Sequence, residues 1–208
     1  MKINLASIGM EKGKQYETII TTTNSDNTRN AAPIGVLYGG EDIIICRIFK
    51  GSKTLDNILR QKEFTVNICR NPELFTTSLL GNLPQDYFSE DNSIKDIEAY
   101  FKCEAISFKE AVKQSDPIKK SGEAIVFKSK VKELVKNKEI KAYNRAFDYV
   151  VESLANLTRF DIVDDETREF YIKQFREAKR VVNKVGYKKE KKAMDLIKKE
   201  LIKKGYEP

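Results

Sequence analysis

IIICRIFKGSKTLDNILRQKEFTVN, residues 43–67, decides how the chain is read. The run IIIC has the apolarity of a buried strand, and EFTVN closes the stretch as a second one. Between them Leu55, Ile58 and Leu59 recur at helical spacing, behind a loop that concentrates unusual chemistry. Arg47 and Lys50 bring positive charge, Gly51 lets a ligand approach the backbone, and Ser52 and Thr54 place hydroxyls where the helix should begin. A helix start has unpaired N–H groups and the positive end of a dipole, so this loop suits a phosphate monoester. A plain helix cap, worth about 1 kcal/mol, would account for Ser52 with no ligand at all.

Upstream, YETIITTT (16–23) is dense in β-branched residues and is followed by the turn formers NSDNT, which predicts one arm of a hairpin. The return arm is RNAAPIGVL (29–37), where Pro33 cannot donate to a ladder and Gly35 marks a bulge or a close approach. Its small residues Asn30, Ala31 and Ala32 leave room for something flat against exposed backbone groups. Downstream, NPELFTTSLLG (71–81) predicts a short helix capped by Asn71 with Pro72 at its first position. Residues 83–96 are polar and read as a loop. Its Asp86, Glu90 and Asp91 match no metal-binding spacing and read as a solvated acidic stretch.

IEAYFKCEAISFKEAV (97–112) and EAIVFKSKVKELV (123–135) alternate as two long antiparallel strands joined by the turn QSDPIKKSG. At least six strands, with one helix between the third and fourth, predict a closed or nearly closed barrel over 1–135. From 136 to 208 the period becomes helical. Ile140, Tyr143, Phe147, Val150, Leu154 and Leu157 mark one helix. Tyr171, Phe175, Ala178, Val182 and Val185 mark a second, capped near Asp164 or Asp165, and Met194, Ile197 and Leu201 a third. The fold class expected is α+β.

Composition narrows the chemistry. With 40% apolar and 33% charged residues the chain reads as globular. The absence of histidine excludes Ser-His-Asp and Cys-His mechanisms and a conventional zinc site, leaving acid–base work to Asp, Glu, Lys, Tyr or a cofactor. Cys46, Cys69 and Cys103 fall at unrelated spacings and read as reduced core residues. The start has no apolar leader, and no stretch approaches the ~20 apolar residues of a membrane span. A cytoplasmic protein with no membrane partner is therefore expected. The net charge of +7 lies mostly in the tail, where nine lysines from Lys184 onward face four carboxylates. The stripe Met194, Ile197, Leu201 makes that tail a packed helix, and without interleaved aromatics nucleic-acid binding is not expected.

NAAPIGV (30–36) followed by R-x-F-K-G-S-K-T-L-x-N-I (47–58) resembles the FMN-binding split-barrel superfamily. The whole chain is similar to an archaeal family of flavin-binding proteins that join such a barrel, flavin-reductase-like and mainly antiparallel, to a C-terminal helical domain. The resemblance implies FMN held non-covalently, commonly at a homodimer interface. Its phosphate would lie on Arg47, Lys50, Ser52 and Thr54, with Asn57 nearby, and its ring edge would meet backbone groups of Asn30, Ala31 and Ala32. Redox turnover such as flavin reductase activity would extend this, while a deazaflavin ligand, or a flavin carrier or sensor, are the alternatives. Asn67, Arg70 and Phe49 are lesser candidates for the pocket, and nothing singles out Tyr16, Tyr87 or Tyr100 as an acid.

Overall fold

The computed structural model describes residues 3–81, 83–112 and 123–208, so the turn QSDPIKKSG lies outside the described residues. The chain divides into two compact units, Met1–Tyr143 and Asn144–Pro208. The first unit is built from β1 (Gln15–Thr23), β2 (Arg29–Gly40), β3 (Ile43–Phe49), β4 (Glu63–Ile68), β5 (Ala99–Val112) and β6 (Glu123–Lys136). These close into a barrel in the order β1-β2-β3-β6-β5-β4, with every neighbouring pair antiparallel. Period-two alternation sends Tyr16, Ile20, Val36, Ile44, Phe101 and Phe127 to the interior. Helix α1 (Lys53–Gln61) connects β3 to β4 and buries Leu55 and Ile58 in the same core.

A second apolar layer coats the outer side of the sheet. Ile19 and Ala31 meet Cys69, Leu83, Phe88, Ile94 and Ile97 there, next to α2 (Pro72–Leu79), whose first turn is capped by Asn71 Oδ1. Residues 83–96 therefore form a loop, as the sequence suggests, but an anchored one: Leu83, Phe88 and Ile94 are committed to this layer, while Tyr87 stays exposed. Asn67, wholly buried, secures it by donating to Ile19 O at 3.0 Å and accepting the Ile94 N–H at 2.9 Å.

Asp91 corrects the expectation of a solvated acidic stretch. It accepts hydrogen bonds from Ser89, Ser93 and Tyr100 and pairs with Lys102 at 3.3 Å. Burial alone would raise its pKa; the hydrogen bonds from Ser89, Tyr100 and Ser93 outweigh burial and hold it well below the usual carboxylate range. A depressed folded pKa stabilises the fold above the unfolded value of about 3.9, and that contribution fades as pH falls below it. Asp91→Asn should thus lower the melting temperature near about pH 6, with the gap narrowing as pH falls below about 4 and closing only below the depressed folded pKa. A gap that persists undiminished in acid would contradict this.

All three cysteines are free and buried, and burial pushes the Cys46 thiol up to about 12. In the second unit α3 (Ala146–Arg159), α4 (Asp165–Val185) and α5 (Lys188–Lys203) share one core. Asp164 caps α4 through the Thr167 N–H at 2.7 Å, and α5 turns Met194, Ile197 and Leu201 inward. The first helix differs from expectation. Ile140 and Tyr143 belong to the barrel, where Ala142 N–H donates to Ile8 O at 2.8 Å and Glu17 N–H to Tyr143 O at 2.9 Å. Helix α3 begins at Ala146 and buries Ala146, Val150, Ser153 and Asn156, while Phe147 and Leu154 are exposed. Ala146 packs closely, since a Cβ on Gly186 would lie 3.4 Å from its own, and Tyr149 and Leu157 border the same core. No described helix is long and apolar enough to cross a membrane.

Candidate functional site

Strand β2 is paired unequally along its two edges. Toward β1 it pairs from Arg29 opposite Thr23 to Leu37 opposite Gln15; toward β3 it pairs only from Val36 onward. Among the described residues no strand lies beside β2 on that side between Arg29 and Gly35, and there the barrel is split. Which backbone groups face the split follows from alternation. Thr28 O accepts from Asn24 N–H at 2.8 Å, and Tyr38 exchanges bonds with Lys14 and Gly13, so even-numbered residues address the β1 side. The odd-numbered Arg29, Ala31, Pro33 and Gly35 address the split.

Gln85 gives direct confirmation. Its Oε1 accepts the Arg29 N–H at 2.6 Å and its Nε2 donates to Arg29 O at 3.0 Å. Ala31 offers the next complete N–H and C=O pair, and Pro33 offers a carbonyl alone. Asn30 and Ala32 turn their backbone groups to β1, so of the three small residues only Ala31 presents its backbone to the split. Gly35 is a close approach: a Cβ there would fall 2.3 Å from Gln15 Nε2.

The start of α1 adjoins this edge through a buried polar network. Asn30 Nδ2 donates to Thr54 Oγ1 at 3.0 Å and to Thr22 Oγ1 at 3.2 Å. Asn57 Nδ2 donates to Thr22 Oγ1 at 3.0 Å and to Asn24 Oδ1 at 2.8 Å, and Arg60 reaches Asn57 Oδ1 and Thr23 O. Thr54 and Asn57 are buried, one helical turn apart on the inward face. Ser52 is committed to the cap, accepting the Leu55 N–H at 3.3 Å and donating to Phe49 O at 3.0 Å. Asp56 N–H goes to Ser52 O at 3.2 Å, which leaves the Lys53 and Thr54 N–H groups as the outward donors of the first turn. Gly51, at φ 80°, has open space where a Cβ would be.

Arg47 lies over the Phe49 ring at 5.0 Å, and Lys50 pairs with Glu110 at 3.1 Å. The structure thus joins Asn30, Thr54 and Asn57 directly, with Ser52 at the cap and the two cations flanking the loop. Thr22, Asn24, Arg60 and Gln85 belong to the same constellation and carry no signal in the sequence read alone, except that Arg60 stands one turn after Asn57. The lesser candidates have structural tasks: Tyr16 accepts the Glu11 N–H, Tyr100 holds Asp91, and Arg70 lies 5.9 Å over Tyr143. A cleft of about 440 Å³ on the same unit, lined by Cys69, Leu74, Tyr87 and Glu98 among others, shares no residue with the loop.

Comparison with known proteins adds the family. The model described as protein of unknown function (DUF447), N-terminal domain, matches residues 16–136, and its C-terminal counterpart matches residues 144–199. The chain belongs to the DUF447 family. The crystal structure of the FMN-bound protein MM1853 from Methanosarcina mazei, assigned to DUF447, is 28% identical, covers 93% of this chain and 98% of its own, and superposes with a TM-score of 0.53. The uncharacterized protein MJ1453 of Methanocaldococcus jannaschii is 27% identical over 188 residues, 86% of this chain and 94% of its own. The resemblance to an archaeal family that joins a split barrel to C-terminal helices therefore holds over both units.

Proposed function

We propose that this protein binds FMN non-covalently, with the ring edge on the split side of β2 and the phosphate at the start of α1. One observation carries the reading: an open strand edge and a cationic helix start adjoin at Asn30, which reaches Thr54 at 3.0 Å, in a chain similar over nearly its whole length to FMN-bound MM1853. The residues present fit such a ligand. The Ala31 pair complements the C=O and N–H of a flat heterocycle, and the first-turn N–H groups of α1 with Arg47 and Lys50 complement a dianion. The exposed Lys50–Glu110 pair, of a kind worth about 0–1 kcal/mol, yields readily to a phosphate.

Bound FMN would supply redox chemistry, and the chain's own part is to bind, orient and shield it. Flavin-dependent oxidoreduction is the extension of this reading; carriage or sensing of flavin is the same site without turnover. A homodimer belongs to the proposal as well. The outward face of β2, β3 and β6 carries Leu37, Ile45 and Val126 half-buried and Phe49 exposed, an apolar surface that a second copy would cover, to be read by sedimentation equilibrium.

The deciding experiment is a visible absorbance spectrum of the purified protein after adding excess FMN and desalting. Retained flavin bands are expected, and oxidation of NADH or NADPH by the yellow protein would then establish turnover. A colourless protein after this treatment would overturn the FMN reading and turn attention to a deazaflavin, whose ring has the same lactam edge.

A further inference from the structure

Arg29 and Ala31 offer the split the same motif, an N–H and a C=O side by side on one extended residue. A lactam edge, with C=O and N–H adjacent in one ring, complements that motif with two hydrogen bonds. The structure displays the complement once, because the carboxamide of Gln85 docks on Arg29 in this way, at 2.6 and 3.0 Å. Leu83 and Phe88, buried on either side, hold the segment that carries Gln85.

We infer that Gln85 sets the register of a ring along β2: by occupying the Arg29 pair it assigns a lactam-bearing ligand to the pair at Ala31. This rests on the FMN reading. The two pairs stand two residues apart, about 6.8 Å at roughly 3.4 Å per residue, so a ring shifted onto Arg29 would lose the alignment with α1 that its phosphate requires. A shift the other way meets Pro33, which has no N–H to give. Gln85 and Pro33 therefore bracket a single complete pair. Gln85 is a positioning residue, acting on the ring through the strand edge it occupies.

The test uses the full chain with FMN and with lumichrome, the ring without its ribityl phosphate. Affinities come from flavin fluorescence, and the register from the N3–H proton resonance of ¹⁵N-labelled lumichrome, which has no phosphate to pin it. Wild type is expected to give one sharp, exchange-protected N3–H signal. Gln85→Ala opens the Arg29 pair as a second place for a ring with no phosphate to hold it, so the N3–H signal of lumichrome should split or broaden, while FMN, still held by its phosphate at α1, should bind within about twofold of wild type. Gln85→Met keeps the bulk without the carboxamide and should behave likewise; it decides the matter if the alanine variant folds poorly. An unchanged N3–H signal in either folded variant, at whatever affinity, overturns the register role. A wild type that binds neither FMN nor lumichrome overturns the FMN reading itself, and this inference with it.

Discussion

Replacing Arg47 and Lys50 together by alanine is expected to weaken FMN binding about 100-fold or more, with the barrel still folded. A charge-assisted hydrogen bond contributes roughly 1.5–3 kcal/mol, and each factor of ten in affinity is about 1.4 kcal/mol, so losing two such contacts reaches that range even if they are imperfectly additive. The fold should lose little. Lys50 gives up an exposed ion pair with Glu110, and Arg47 a contact over a Phe49 ring that is itself exposed. Lumichrome, which has no phosphate, supplies the control, because its affinity should stay within about twofold of wild type. Titration by flavin fluorescence reads both ligands. Unchanged FMN affinity would sink the phosphate assignment, and an equal loss for both ligands would mean that the variant had damaged the ring slot instead.

The sequence was informative wherever a local rule operates. Ser52, Asn71 and Asp164 cap the helices as their positions suggest, because a cap needs only its own side chain and the next turn. Strand alternation placed the barrel for a similar reason. What stayed hidden depends on pairing between distant segments. The orientation of Ala31 toward the split, and of Asn30 and Ala32 away from it, is fixed by the register of β2 on β1, and composition is blind to a shift of one residue. Gln85 reaches Arg29 across 56 positions, so nothing near either residue announces the contact. In α3 the periodicity of Phe147 and Leu154 is real, but it describes an exposed face; the inward one mixes Val150, Tyr149 and Leu157 with the small or polar Ala146, Ser153 and Asn156, and so carries a weaker apolar signal. The strap 137–143 shows the complementary error, because apolar residues at helical spacing also suit an extended segment laid on a barrel.

That hidden register makes the sharpest test of the site, because adjacent prolines should have opposite consequences. Ala32→Pro removes an N–H directed at β1 opposite Ile20, leaving a buried carbonyl without its donor and crowding the ladder. A cost of about 1–3 kcal/mol from the orphaned acceptor alone is a large share of the roughly 5–15 kcal/mol that holds a typical domain, so a clear fall in melting temperature is expected. Ala31→Pro removes an N–H that no β1 group uses. Pro33, two residues on and facing the same way, shows that the strand accepts a proline ring on that edge. The fold should therefore persist while FMN loses its donor at Ala31 and meets the proline Cδ in its place, weakening binding by about tenfold or more. Thermal unfolding and flavin titration on the two variants separate the effects. Wild-type FMN affinity in a folded Ala31→Pro protein would move the ring off this pair, and equal destabilisation of both variants would show that the alternation deduced from Gln85, Thr28 and Tyr38 does not hold at Ala31.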